Sequence, residues 1–265
     1  MLGYATALHG FFFILGLVGY NRINALFPSL ILPFLTPFGT PISAGILHTI
    51  LYWLMLIGMC NYITFFVAGD IESGMWKLLR LTPYTNKEIL LAKVAAAWHV
   101  WWKVLVMLVV TRVIAALLIP IAIFMQRQND VRFLIAPNAL GAIVFIAQPI
   151  VDAMMVSSIS VLCALLFRSN TWANVGAYGL SAVAVGGLGS IAGFWLLYAS
   201  PLGALAGPLI PLSHWASLIA AISPPRSPDE FAARMIVAAL TYLVAPLLIT
   251  AGIYRLSVRI ARVVE

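Results

Sequence analysis

Arg112 and Asp152 are isolated charges set deep inside long apolar runs. An ionised side chain at a bilayer centre costs about 2.5–3.5 kcal/mol on insertion scales, so such residues face a bundle interior or a cavity. At 1.5 Å rise per residue, Arg112 lies about nine residues beyond a helix entry near Lys103, and Asp152 about thirteen residues in from the opposite side. In a hydrocarbon core roughly 30 Å thick, the two fall at similar depth. The expectation is an intramembrane charge pair joining the third and fourth crossings. It serves either as a gating or substrate-path pair or as a structural pair that fixes helix register. Lys103 is expected to snorkel to the membrane edge. Gln148, one turn from Asp152, is expected to share its network.

Other chemistry is missing from the sequence. His9, His48, His99 and His214 are scattered, with no H-E-x-x-H and no acid-paired cluster. Cys60 and Cys163 lie in apolar runs without metal-type spacing and read as small packing residues. The 8 acidic residues do not cluster within any run, which leaves no catalytic constellation. Gly187, Gly189 and Ala192 match G-x-G-x-x-A, but no strand precedes them and no acidic partner follows. Gly189 and Gly193 suit close helix packing instead. No G-x-x-x-x-G-K-[ST] loop occurs, so any use of ATP belongs to a partner chain. The residues predict no enzyme activity, no metal and no cofactor.

The elements that must position these residues follow from composition. The set AVILMFWYC makes up 63% of the chain and charged residues 9%, against roughly 25% charged in soluble domains. So few charges cannot build a water-facing surface, so the chain must span lipid with helices or a closed barrel. Long unbroken apolar runs, rather than period-two alternation, select helices. The runs cover 4–20, 26–38, 42–69, 98–125, 139–167, 173–198, 201–222 and 232–254. The expected fold is a single all-α transmembrane domain over 1–265, with about six crossings. The N-terminus lacks a positive n-region and does not read as a cleavable signal peptide.

Lys and Arg set the orientation. The polar stretch 70–93 carries Lys77, Arg80, Lys87 and Lys93, and the C-terminal tail carries Arg255, Arg259 and Arg262. Basic residues favour the cytoplasmic side, so both segments and both termini are expected inside. Arg168 then also lies inside, and Arg127, Arg132 and Arg226 outside. The 201–222 run holds Pro201, Pro208, Pro211 and His214, which break or kink a helix. Residues 199–230 are therefore expected to form an extracytoplasmic re-entrant segment before the last crossing. Trp98, Trp101 and Trp102 suit an interfacial belt.

Residues 70–97 are the most informative segment. From Ile71 to Leu81 apolar and charged residues alternate at helical spacing, as in a helix lying in the interface plane. Thr82 and Pro83 stop it. Thr85 and Glu88 then match a capping box that starts the next helix. The stretch GDIESGMWKLLRLTPYTNKEILLAK resembles the coupling-helix region of ABC-2 type (type V fold) transporter permeases through Glu72, Gly74, Leu78, Leu79, Pro83, Glu88, Ile89 and Lys93. Met75 stands where the family usually has Thr or Ser, and Lys77 where Glu is usual. Residues 1–21 contain no Lys or Arg, where the family usually has a basic amphipathic helix.

The resemblance implies a permease subunit of an ATP-driven exporter in the cell (inner or plasma) membrane. A second permease subunit would pair with it, as a homo- or heterodimer, and an ABC ATP-binding subunit would dock on the coupling helix. Glu72, Gly74, Trp76, Lys77, Leu79 and Pro83 would lie at or near that contact. The apolar lining points to a lipid-like or other hydrophobic substrate, and nothing points to nucleic acid. The competing readings are a membrane-embedded enzyme acting on lipids, which lacks its catalytic cluster, and a non-transporting membrane scaffold or sensor.

Overall fold

The computed structural model describes residues 41–127, 136–197, 236 and 240–263. Every regular element among them is helical. Helix α1 covers Pro41–Glu72, with proline at its first position, where a missing N–H costs nothing. A short helix α2 (Met75–Leu79) follows. Helices α3 (Asn86–Arg127), α4 (Ala136–Phe167) and α5 (Asn170–Leu197) are long and apolar. A π-helical turn, Leu240–Val244, leads into α6 (Ala245–Ile260). The chain is a helical membrane protein. Three segments, Ile50–Glu72, Asn86–Val113 and Ile143–Phe167, are long and apolar enough to cross a bilayer.

Helix α4 is the hub and packs against α1, α3, α5 and α6. Of its apolar stretch 72% is buried inside the protein, against 28% for α3. Lipid tails are as apolar as leucine, so helices in a bilayer associate through close packing and interhelical hydrogen bonds. Small buried residues provide the closeness: Ala153, Ala164, Ala173 and Ala177 sit in the two packed layers. Gly58 of α1 lies directly under the Trp101 indole of α3, where any side chain would collide.

The ends of the helices fall into register. The α1–α3 connection, the α4–α5 turn and the end of α6 share one packed layer through Trp76, Leu90, Leu165, Ala173 and Ala261. Asn86 donates its side-chain N–H to the Ala261 carbonyl at 3.2 Å, and the Tyr254 hydroxyl donates to the Lys87 carbonyl at 3.2 Å. Lys77, Arg80, Lys87, Lys93, Arg168, Arg255, Arg259 and Arg262 therefore gather at one end of the bundle. Arg168 makes the tight α4–α5 turn with φ +56°, a conformation most side chains avoid.

One expectation needs correction. The amphipathic helix expected from Ile71 is interrupted: α1 keeps Ile71 and Glu72 on its own ladder, and the chain restarts at Met75 after a break at Gly74. Helix α3 begins at Asn86, where the Thr85–Glu88 capping box is expected to start it, and the apolar runs 98–125 and 173–198 lie inside the longer helices α3 and α5. Capping residues, not the first apolar residue, set where a helix begins. The runs 4–20 and 26–38 and the re-entrant segment 199–230 lie outside the described residues.

Candidate functional site

The elbow between α1 and α3 is built by local bonds. The Ser73 N–H donates to the Gly69 carbonyl at 2.9 Å and the Gly74 N–H to the Ile71 carbonyl at 3.2 Å, closing α1. Gly74 then takes φ +77°, the left-handed region where a Cβ is penalised. The space around it is open, so glycine is needed for its backbone and not for room. The Lys77 N–H bonds back to the Gly74 carbonyl at 3.2 Å and α2 begins. The Thr82 hydroxyl donates to the Leu79 carbonyl at 2.5 Å as the turn closes before Pro83.

The capping box forms as the sequence indicates. The Thr85 N–H donates to Glu88 Oε2 at 2.7 Å, the Thr85 hydroxyl to the same oxygen at 2.8 Å, and the Glu88 N–H to Thr85 Oγ1 at 3.3 Å. Those Thr85 donors hold the Glu88 carboxyl below its ordinary pKa. Behind the elbow, Lys93 and Asp70 form an ion pair at 2.7 Å, with the Lys93 ammonium 5.5 Å from the Phe66 ring centroid.

The residues expected at the coupling contact divide between two faces. Glu72, Gly74, Lys77 and Pro83 are exposed, and Leu79 is half-buried. Glu72 also accepts the Asn170 N–H at 3.4 Å, at the start of α5, where the helix dipole favours a carboxylate. Trp76 points inward. Its indole is 2% exposed and packs among Ile63, Val67, Leu90 and Leu165. It anchors the elbow from behind and is not part of its outer face. That outer face carries Met75, Leu78, Leu81 and Tyr84, with Leu81 83% exposed.

The two intramembrane charges also end in one buried cluster, at 1% exposure for Arg112 and 4% for Asp152. The two charges attract one another across a tyrosine. Tyr52 of α1 donates its hydroxyl to Asp152 at 2.5 Å. Arg112 donates to the Phe145 carbonyl at 2.7 Å and to Gln148 Oε1 at 3.3 Å, and its guanidinium lies 5.6 Å from the Tyr52 ring centroid. Tyr52 thus stands between the charges. The reason lies on α4. Pro149 has no N–H, so the carbonyl four residues back, that of Phe145, loses its helical partner. An unsatisfied carbonyl in a bilayer costs several kcal/mol, and Arg112 supplies the missing donor. The guanidinium is drawn to that level, one to two turns from Asp152.

A polar seam between α1 and α5 was not anticipated. From the elbow inward it runs through Glu72, Asn170, Asn174, Thr64, Asn61 and Tyr178, linked by successive hydrogen bonds, the step from Thr64 going to the Asn61 backbone carbonyl. The signal lay in the spacing of Asn170, Asn174 and Tyr178 at every fourth position, facing Asn61 and Thr64 three apart. Cys60 and Cys163 are buried and unbridged. Among the described residues no group of His, Cys, Asp and Glu is disposed to hold a metal.

Fold and site together define a membrane-embedded helical bundle with a protruding, basic-ended elbow. The chain matches no protein-family model, no curated protein and no solved structure.

Proposed function

We propose that the chain is the membrane-spanning subunit of an ATP-driven exporter, with six crossings, both termini and the elbow in the cytoplasm, and ATP bound by a separate subunit. One observation carries this reading: the elbow. It stands at the basic end of the bundle, sharply turned at Gly74, with apolar Met75, Leu78, Leu81 and Tyr84 outward beside Glu72, Lys77 and Arg80. Basic residues keep to the cytoplasmic side. An outward apolar face edged by charge suits a protein partner, which gains from burying it.

In the proposed cycle, ATP-driven closure of the partner pushes on α2. Trp76 passes the push into the layer where α1, α3, α4, α5 and α6 meet, and the bundle moves a lipid-like substrate outward. The polar seam couples α1 to α5 through that same layer. A second copy or a related permease would complete the pathway.

Affinity purification of the full chain from its native membrane, with ATPase activity measured on what co-purifies, tests the reading. An ABC-type ATPase should be retained. Leu78→Asp combined with Leu81→Asp should release it while the bundle stays folded. If no ATPase is retained from membranes where the chain is intact, or if the double variant retains it fully, the exporter reading is overturned.

A further inference from the structure

A recess of about 340 Å³ lies between α1 and α5, with Val156 of α4 as its floor. Ligand pockets run about 300–1,000 Å³, so this one suits a single chain rather than a bulky headgroup. Trp53 and Ile57 line it on α1, and Tyr178, Ser181 and Ala182 on α5. Ile57 and Ala182 are exposed on the perimeter, so the recess opens sideways, toward lipid.

Its two ends differ in polarity. At the elbow end the Tyr178 hydroxyl is already engaged by the Asn61 side chain. Ser181 is not engaged. It is 7% exposed, and its hydroxyl has no hydrogen-bond partner among the described residues. Thr64, Thr111, Ser157 and Ser160 all turn their hydroxyls back onto a carbonyl of their own helix. A buried hydroxyl left unpaired loses its hydration with no return, which favours a ligand that supplies an acceptor. Toward Trp53 and Val156 the lining is apolar.

The depth fits a lipid ester. Trp101 of α3 rests on Gly58, which sets the recess level with Trp102 and Lys103, both exposed. Exposed Trp and snorkelling Lys mark the membrane–water boundary. The recess starts near that boundary and runs inward.

We propose that the recess holds one acyl chain of a bilayer glycerophospholipid. Its ester carbonyl accepts a hydrogen bond from Ser181, and its methylenes run past Val156 toward Trp53. The lodged chain fills the gap beyond the α1–α5 polar seam and continues it as an apolar one. The site stands whether or not the chain exports anything, because it needs only the bundle and a surrounding leaflet.

The experiment uses the full chain in vesicles of phosphatidylethanolamine, a fraction of it carrying a diazirine on one acyl chain, with adducts mapped by mass spectrometry. A parallel set uses the ether-linked analogue, which lacks the carbonyl. Adducts should concentrate on 53–60 and 178–182, and Ala182→Trp should abolish them by filling the mouth. Ser181→Ala should reduce capture of the ester lipid about fivefold, the worth of one hydrogen bond, and leave capture of the ether lipid unchanged. Adducts spread evenly over lipid-facing residues such as Val100, Val106 and Val110, or undiminished by Ala182→Trp, would overturn the site. Equal loss of both lipids in Ser181→Ala would overturn the role of the hydroxyl.

Discussion

The elbow and the buried charge cluster solve the same problem at different depths. Each is a place where a helix's own ladder does not supply a backbone hydrogen bond. At the elbow the free N–H groups at the start of α3 are met by Thr85 and Glu88, three residues apart. In the bundle the Phe145 carbonyl, mid-helix and denied the Pro149 N–H, accepts from Arg112, 33 positions away. Water stands ready at the first site, so failure there is cheap. Lipid surrounds the second, so failure there is not.

Removing the distant donor should therefore cost most. Arg112→Ala strips the Phe145 carbonyl of its donor and Asp152 of a nearby positive charge, a loss of about 3 kcal/mol. The fall in unfolding midpoint in mixed micelles measures it. Pro149→Ala restores the helical N–H and should return about 1 kcal/mol in the Arg112→Ala background. If the two substitutions add without interaction, Arg112 is not the stand-in for that bond.

Gly58→Ala comes next. A Cβ there would lie 1.9 Å from the Trp101 ring, an overlap that costs about 1–3 kcal/mol when a packed core must shift. The same midpoint reads it, and Trp101→Leu in the same chain should relieve it. A smaller effect follows at the elbow. Gly74→Ala strains a left-handed backbone by about 1–2 kcal/mol, and because the site is open the strain stays local. Hydrogen exchange at Met75–Leu79 should quicken while the bundle midpoint holds.

The smallest effect depends on pH. The folded pKa of Glu88 is depressed, so its cap contributes above the ordinary carboxylate range and is lost as pH falls through the folded value. Exchange at the start of α3 should quicken only in acid, and in Glu88→Gln, which keeps a capping side chain without the charge, that acid response should vanish. An unchanged acid response in Glu88→Gln would assign it to another group.

The same contrast explains what could be read in advance. Thr85, Glu88 and Pro83 act within a few residues of themselves, so their spacing announces the turn and the start of α3. Apolar length announced the long helices. Tyr52 gave no signal, because an aromatic residue in an apolar run reads as packing until α4 is placed beside it. Arg112 and Asp152 were conspicuous as charges, and depth counting put them in one cluster. It could not separate a direct pair from a bridged one, since the shift arises from a proline on the facing helix. The resemblance implies Trp76 at or near the coupling contact, yet a five-residue helix offers too little periodicity to say which side an indole takes.

Arg112 emerges from the ribosome before Phe145 and Pro149 do. Until they emerge, its guanidinium has neither the carbonyl nor Gln148, and a lone α3 would carry an insertion penalty of about 2.5–3.5 kcal/mol. Helices α3 and α4 therefore gain by entering the bilayer together as a hairpin, the later strip of chain redeeming the earlier one. A proline that looks like a flaw in α4 thus becomes a reason for two segments to be delivered as one.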